Sequence, residues 1–151
     1  MDRAQKAVEL FKSGCNCSQA VVCAFCDLFG IDETSAMRLS EGMGGGMGRM
    51  RLTCGAVSGM SMVAGMALSD GIAGDTMTRK RVYEAVQKMA GEFKDKNGSV
   101  ICADLLGNNL PKDGSAEPTK RTESFYKKRP CIGCIEDCAN IIEKYLIEGC
   151  E

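Results

Sequence analysis

The stretch SQAVVCAFCDLF, residues 18–29, is apolar on nearly every side of a helix. Gln19 and Asp27 are its two polar exceptions. A helix that is hydrophobic all round is typically buried, because no face of it is suited to water. Gly30 follows directly and is the residue type that most often ends a helix. We therefore expect residues 18–29 to form the centre of the fold, with the other elements packed around them.

Helical spacing continues on both sides of this segment. Before it, Ala4, Ala7, Val8 and Phe11 line one face of a short amphipathic helix that ends at Gly14. After it, residues that favour helix N-caps precede several further apolar stretches. The predicted openings are Asp32 for a helix to Glu41 and Thr53 for a helix to Leu68. Asp75 or Thr76 opens a long helix with Val82, Val86, Met89 and Phe93 on one stripe. Ser99 opens a short helix to Leu106, and a last helix carries Cys134, Cys138 and Leu146.

Two segments do not fit a regular element. Residues 42–48, GMGGGMG, contain too much glycine for one, and residues 108–118 are polar and rich in turn formers. No segment shows the alternation of a strand, and no internal repeat is visible. The sequence thus predicts an all-α fold: one domain over residues 1–151, a bundle of about six to seven helices with a glycine-rich loop before the Cys-Gly-Ala helix.

Composition limits the classes of function. The 19 basic and 20 acidic residues give a net charge of −1, which offers no basis for binding nucleic acid. No run approaches the roughly 20 apolar residues that span a bilayer, so we expect no membrane insertion. The first residues also lack the apolar core of a signal peptide, and we expect a cytoplasmic protein with reduced thiols.

Sulfur is the main chemical handle of this chain, which has ten cysteines and no histidine. A metal site without histidine must use thiolates, carboxylates or backbone groups. Cys23 and Cys26 form a C-x-x-C motif inside an apolar helix, where cysteine behaves as a small hydrophobic residue. Cys134 and Cys138 share the apolar face of the last helix and also read as core. Cys150 is next to the last residue and is expected to be a frayed surface thiol.

Four other cysteines lie at or near the starts of predicted helices. They are Cys17, Cys54, Cys102 and Cys131. The positive end of a helix favours a thiolate and lowers its pKa, and we expect this most at Cys54, which follows Arg49 and Arg51. The gaps between the four are 37, 48 and 29 residues, so only tertiary packing can bring them together. Cys15 and Cys17 are one residue apart, and such cysteines rarely bind the same iron, so we expect one of the two to be spare.

At these residues the chain resembles the redox-active protein family named for its cysteine pattern, C_GCAxxG_C_C. CGAVSG at residues 54–59 matches the family's central motif. GCNCSQAV at residues 14–21 is similar to its first cysteine segment and selects Cys17. Residues 44–48 resemble the glycine stretch before the motif, and residues 97–107 resemble the third segment, with Cys102.

Cys131 aligns best with the last cysteine of the family pattern, and Cys134 falls where an aliphatic residue is usual. Cys134 and Cys138 both remain alternatives for that role. Ser18 stands where the family usually has alanine, and Cys15 where cysteine is not usual. The resemblance covers about residues 6–148. Related segments occur in split-Soret cytochromes, which carry iron–sulfur centres, and this implies an electron-transfer role by analogy.

The resemblance leads to a hypothesis of an iron–sulfur cluster, [2Fe–2S], bound by Cys17, Cys54, Cys102 and Cys131. Backbone N–H groups of residues 42–48 and the neighbouring arginines would stabilise its negative charge, and Met43, Met47, Met60 and Met62 could wrap it. Two alternatives remain open: a thiol–disulfide redox enzyme with Cys54 as the reactive thiol, and a structural zinc module with the same four ligands. The electron-transfer hypothesis implies a redox partner protein, and a homodimer is conceivable.

Overall fold

The computed structural model describes residues 1–148, and the prediction of an all-α fold is confirmed for them. These residues contain eight α-helices, two short 3₁₀ segments (Cys26–Phe29 and Gly107–Asn109) and a C-terminal π turn (Glu143–Ile147). The α-helices are α1 (Arg3–Lys12), α2 (Cys17–Phe25), α3 (Glu33–Glu41), α4 (Gly55–Leu68), α5 (Thr76–Asn97), α6 (Cys102–Leu106), α7 (Glu123–Lys128) and α8 (Cys131–Ile142). The prediction of six to seven helices missed α7.

Helix α2 lies at the centre of the fold, as its sequence predicts. All its residues after Cys17 are buried, and it packs against α1, α3, α4 and α8. Phe25 and Val21 are fully buried in the same apolar cluster as Phe93 of α5 and Ile135 of α8. Gly30 ends the segment in the left-handed conformation, with φ of 71°. The central helix thereby holds its N-terminus, with Cys17, inside the bundle.

Two of the four predicted helix caps are confirmed. Asp32 and Asp75 each accept a hydrogen bond from a backbone N–H in the first turn of the helix that follows. Two predicted caps are wrong: Thr53 and Ser99 are not N-caps. Thr53 instead forms an isolated antiparallel bridge with Ile101. Because these two extended segments pair, α4 begins only at Gly55 and α6 only at Cys102.

The glycine-rich segment forms a tight left-handed turn. Gly45, Gly46, Met47 and Gly48 all have φ between 57° and 69°. An L-residue in this conformation costs about 1–2 kcal/mol, whereas glycine adopts it freely, which explains the glycines. The backbone of the turn is hydrogen-bonded within itself, for example from the Gly48 N–H to the Gly42 carbonyl oxygen at 2.7 Å.

The hairpin of α4 and α5 extends beyond the core. Met89 and Phe93 of α5 are buried as predicted, but Val82 and Val86 are only half-buried. Met77 in the first turn of α5 is 80% exposed, and residues 69–74 between the two helices are all exposed. Within residues 1–148, no helix combines the length and the apolar character needed to cross a membrane.

Candidate functional site

The start of α2 is fixed by a reciprocal cap. The Asn16 side chain accepts a hydrogen bond from the Gln19 N–H, and the Gln19 side chain accepts one from the Asn16 N–H. Asn16 also donates to the Glu41 carbonyl oxygen at 2.8 Å. A Cβ atom on Gly44 would lie 2.4 Å from Nδ2 of Asn16, so the glycine turn fits closely against this cap. The cap sets the position of Cys17, the first residue of α2.

The sulfur of Cys17 lies against the backbone of Gly55. A Cβ atom on Gly55 would be 2.4 Å from Sγ of Cys17 and 3.0 Å from the Met43 carbonyl oxygen. Only glycine leaves room for this sulfur at the residue that follows Cys54. Burial raises the pKa of the Cys17 thiol to about 11, while hydrogen bonds from the backbone N–H groups of Gly45 and Ser18 act in the opposite direction.

The antiparallel bridge brings together the starts of α4 and α6. The Cys54 N–H donates to the Val100 carbonyl oxygen at 2.7 Å, and the Cys102 N–H donates to the Leu52 carbonyl oxygen at 2.6 Å. Cys54 and Cys102 are therefore diagonal neighbours on one face of the bridge, an arrangement in which residues lie roughly 7–8 Å apart. Two cysteines that are distant in sequence meet because of this backbone pairing.

The glycine turn packs against Cys102. A Cβ atom on Gly46 would lie 2.7 Å from Cβ of Cys102 and 2.8 Å from the Leu52 nitrogen. Nη1 of Arg51 donates to Sγ of Cys102 at 3.7 Å. Burial raises the pKa of Cys102, and the Arg51 hydrogen bond opposes that rise. The positively charged side chain of Arg51 thus lies next to the sulfur of Cys102 rather than next to that of Cys54.

Cys131 completes the group as the first residue of α8. Burial, the largest cause, and the charges of Cys17, Cys54 and Cys102 together raise the pKa of its thiol to about 12, while Arg129 acts in the opposite direction. For Cys17, burial is the largest cause of the raised pKa, and the charges of Cys54 and Cys102 add to it. The charge of Cys54 also raises the pKa of Cys102. Every pair among the four thiols therefore interacts electrostatically, so the four helix starts converge on one region.

The sequence predicts a lowered pKa at Cys54, and this prediction is wrong. A hydrogen bond between the side chains of Cys54 and Cys134 raises the pKa of Cys54 well above its ordinary value, and burial adds to this. The N–H groups of Val57 and Ala56, at the start of α4, favour the thiolate as predicted but are outweighed. Desolvation and a neighbouring thiol therefore override the helix end.

The family assignment follows from the cysteine segments together. The model of the family described as "Putative redox-active protein (C_GCAxxG_C_C)" matches residues 15–145, which include all four of these cysteines. The chain belongs to the C_GCAxxG_C_C family. The family description supports a redox-active protein. Neither the curated proteins nor the solved structures contain a match to this chain.

The remaining described cysteines of this C_GCAxxG_C_C protein lie in its interior. Cys23 and Cys26 are buried in the core, as their position within an apolar helix predicts. Cys15 is also buried, with its sulfur 3.7 Å from Sδ of Met37. Cys138 is fully buried, and Cys150 lies outside the described residues.

The nine cysteines described are all free thiols. Residues 1–148 contain no group of three or more cysteine, aspartate or glutamate side chains arranged to hold a metal ion. The methionines proposed to surround a cluster do not share one location: Met60 is in the core, whereas Met47 is 42% exposed.

Arginines surround the cysteine group of this family member, and only Arg49 and Arg51 were expected there from the sequence. Arg121 and Arg129, together with Arg49 and Arg51, line a cavity of about 440 Å³. Cys17, Cys102 and Cys131 line the same cavity, and Cys54 does not. The basic run before Cys131, KKRP at residues 127–130, was the available signal for Arg129.

Arg49 fastens the long loop before α7 to the glycine turn. Its guanidinium forms an ion pair with Asp113 at 3.1 Å and donates to the Ser115 carbonyl oxygen at 2.7 Å and to Oγ1 of Thr119 at 2.9 Å. Hydrogen bonds from the Ser115 hydroxyl, which has the larger effect, and from Arg49 lower the pKa of Asp113 to about 2. Beyond the 3₁₀ segment that ends at Asn109, residues 110–118 are irregular, as predicted, but Arg49 holds this loop over the cavity.

Proposed function

We propose that Cys17, Cys54, Cys102 and Cys131 hold an iron–sulfur cluster, [2Fe–2S], and that the protein transfers electrons through it. The observation that supports this most strongly is the convergence of four helix N-termini, each with a cysteine as its first or capping residue. When bound, such a cluster accepts and returns single electrons at a potential set by its surroundings.

The donors around the sulfurs fit an anionic cluster. Backbone N–H groups of Gly45 and Ser18 face Cys17, and those of Ala56 and Val57 face Cys54. Hydrogen bonds to sulfur and positive helix ends stabilise thiolates and their negative charge. In this proposal the protein supplies the charge compensation before any metal binds, and this compensation opposes the burial that raises the pKa values of Cys17 and Cys54.

Cys131 is the preferred fourth ligand among the cysteines of α8. It lies at the positive end of the helix and lines the cavity, whereas Cys138 is fully buried about two turns further along. The Cys134 thiol interacts with that of Cys54 and raises its pKa. We assign Cys134 the role of a neighbour that orients Cys54 and not that of a ligand.

The test is purification without oxygen, followed by iron and sulfide analysis and visible spectroscopy. We expect about two irons and two sulfides per chain, with charge-transfer bands that bleach on reduction. Cys54→Ala should abolish the bands, and Cys26→Ala, a control that also removes a buried sulfur near a helix end, should retain them. A colourless protein with one zinc and no sulfide would refute the proposal in favour of the structural zinc module.

A second candidate is favoured by the interaction between the thiols of Cys54 and Cys134. These two thiols could lose two protons and two electrons and form a disulfide, with hydrogen peroxide as the oxidant that is reduced to two waters. A metal-free protein in which peroxide forms this disulfide reversibly, as mapped by mass spectrometry, would favour the thiol–disulfide enzyme over the cluster.

A further inference from the structure

The cavity beside the cysteine group has the size of a small-molecule site. Its volume of about 440 Å³ falls within the range of roughly 300–1,000 Å³ that is typical of ligand pockets. Of the four proposed ligands, Cys54 is absent from its lining, so the cavity lies to one side of the group. Ala116, Pro118 and Thr119, in the loop that Arg49 holds, supply part of the wall.

The lining of the cavity is strongly positive. Among the residues that the structure describes, the lining contains four arginines and a single carboxylate, Glu41. The Glu41 side chain already accepts a hydrogen bond from Nε2 of Gln19 at 3.2 Å. Arg49 is paired with Asp113, so with neutral thiols three guanidinium groups without an ion pair in residues 1–148 remain against the one carboxylate, and the cavity attracts anions.

Two of the arginines serve the structure of the cavity. Arg121 donates to the carbonyl oxygens of Phe11 and Cys15, and its guanidinium lies 4.3 Å from the centre of the Phe11 ring. Arg49 is committed to the loop through both terminal nitrogens, although its buried Nε has no hydrogen-bond partner within the described residues. A buried donor of this kind is ordinarily satisfied by water or by a ligand.

The other two arginines keep donors that can reach a ligand. Arg129 stacks on the Phe125 ring at 4.5 Å and uses one terminal nitrogen for a 3.3 Å hydrogen bond to Thr119. Arg51 donates from Nη1 to Cys102. Stacking and loop packing hold these planar guanidinium groups in place, and their geometry matches carboxylate and phosphate oxygens.

We propose that this cavity binds a small molecule through a carboxylate or phosphate group, with Arg51 and Arg129 as its main contacts. The proposal extends the proposed function by giving the protein a small anionic ligand next to its cysteines. Binding itself does not require the cluster, because the arginines and the loop form the site.

Isothermal titration of the protein purified without oxygen, in buffer of low chloride content, tests the proposal. The probes are inorganic phosphate and acetate, and binding of either one supports it and identifies the preferred group. Arg129→Gln should weaken that binding by about tenfold or more, since a charge-assisted hydrogen bond is lost. Arg81→Gln, an exposed arginine of α5 that does not line the cavity, should leave it unchanged.

Two results would overturn the proposal: no binding of either anion to the unaltered protein, or equal weakening by Arg129→Gln and Arg81→Gln. If Arg129→Gln does not fold, as judged by circular dichroism, Arg51→Gln provides the same comparison. The visible spectrum of the same samples separates this outcome from the proposed function. Bands without anion binding refute only the anion site, and anion binding without bands refutes only the cluster.

Discussion

Replacement of Gly55 by alanine tests whether the glycine of the Cys-Gly-Ala motif exists to make room for a sulfur. The new Cβ would lie 2.4 Å from Sγ of Cys17, about 1 Å inside ordinary van der Waals contact. The Met43 carbonyl oxygen, a backbone atom, would be 3.0 Å away on another side. The methyl group therefore has no free direction, and either Cys17 must leave its rotamer or the backbone must shift.

The expected loss of stability is about 1–3 kcal/mol, the usual cost of inserting a methyl group into a filled interior. Alanine normally stabilises a helix by up to about 1 kcal/mol relative to glycine, and this gain offsets part of the loss. Gly65→Ala is the matched control, because Gly65 lies in the interior of the same helix with no atom within 4 Å of its added Cβ. That variant should be more stable than the unaltered protein.

Urea unfolding followed by circular dichroism measures both variants, and the visible spectrum reports on the site. We expect Gly55→Ala to lower the unfolding midpoint and to lose the cluster bands, and Gly65→Ala to raise the midpoint with the bands intact. A Gly55→Ala protein that is as stable as Gly65→Ala and equally coloured would show that Cys17 does not lie where the structure places it.

Two further predictions concern the glycine turn and the thiols. Gly46→Ala should lower the free energy of unfolding by about 2–5 kcal/mol, because its left-handed φ of 69° adds to the clash with Cys102 and the Leu52 backbone. Gly71→Ala, where the φ is similar but the space is open, should lower it by only about 1–2 kcal/mol in the same urea assay. Equal losses in the two variants would contradict the clash. In the reduced, metal-free protein at pH 8, iodoacetamide should modify Cys17 about a hundredfold and Cys131 about a thousandfold more slowly than in the urea-unfolded chain. The reason is that burial, the largest cause, raises their pKa values to about 11 and 12 and leaves little thiolate. Mass spectrometry should show the rate rising with pH, and modification as fast as in urea would mean that the helix ends outweigh burial.

The elements that the sequence predicted well are those specified by neighbouring residues. The apolar run of α2, the Asp32 and Asp75 caps and the glycine stretch all carry their signal within a few positions. Helix α7 was missed because it has six residues and follows a long irregular segment. Short helices depend on tertiary contacts more than on local propensity.

The errors at the site have a common physical origin. The bridge between Thr53 and Ile101 joins residues 48 positions apart, and no local pattern announces such a pairing. The pKa of Cys54 was misjudged because its helix end is visible in the sequence, while its burial and its contact with Cys134 are not. Sequence reasoning thus located the four cysteines on helix starts, and only packing revealed what surrounds each sulfur.

The bridge between Thr53 and Ile101 also separates the cysteine group from the hairpin of α4 and α5. Cys54 and Cys102 flank the base of this hairpin, and its exposed tip at residues 69–74 lies at the other end. Added or deleted residues at the tip would change the interval between the two cysteines in the sequence but not their distance in space. The interval therefore serves as a spacer whose length can change without altering the arrangement of sulfurs.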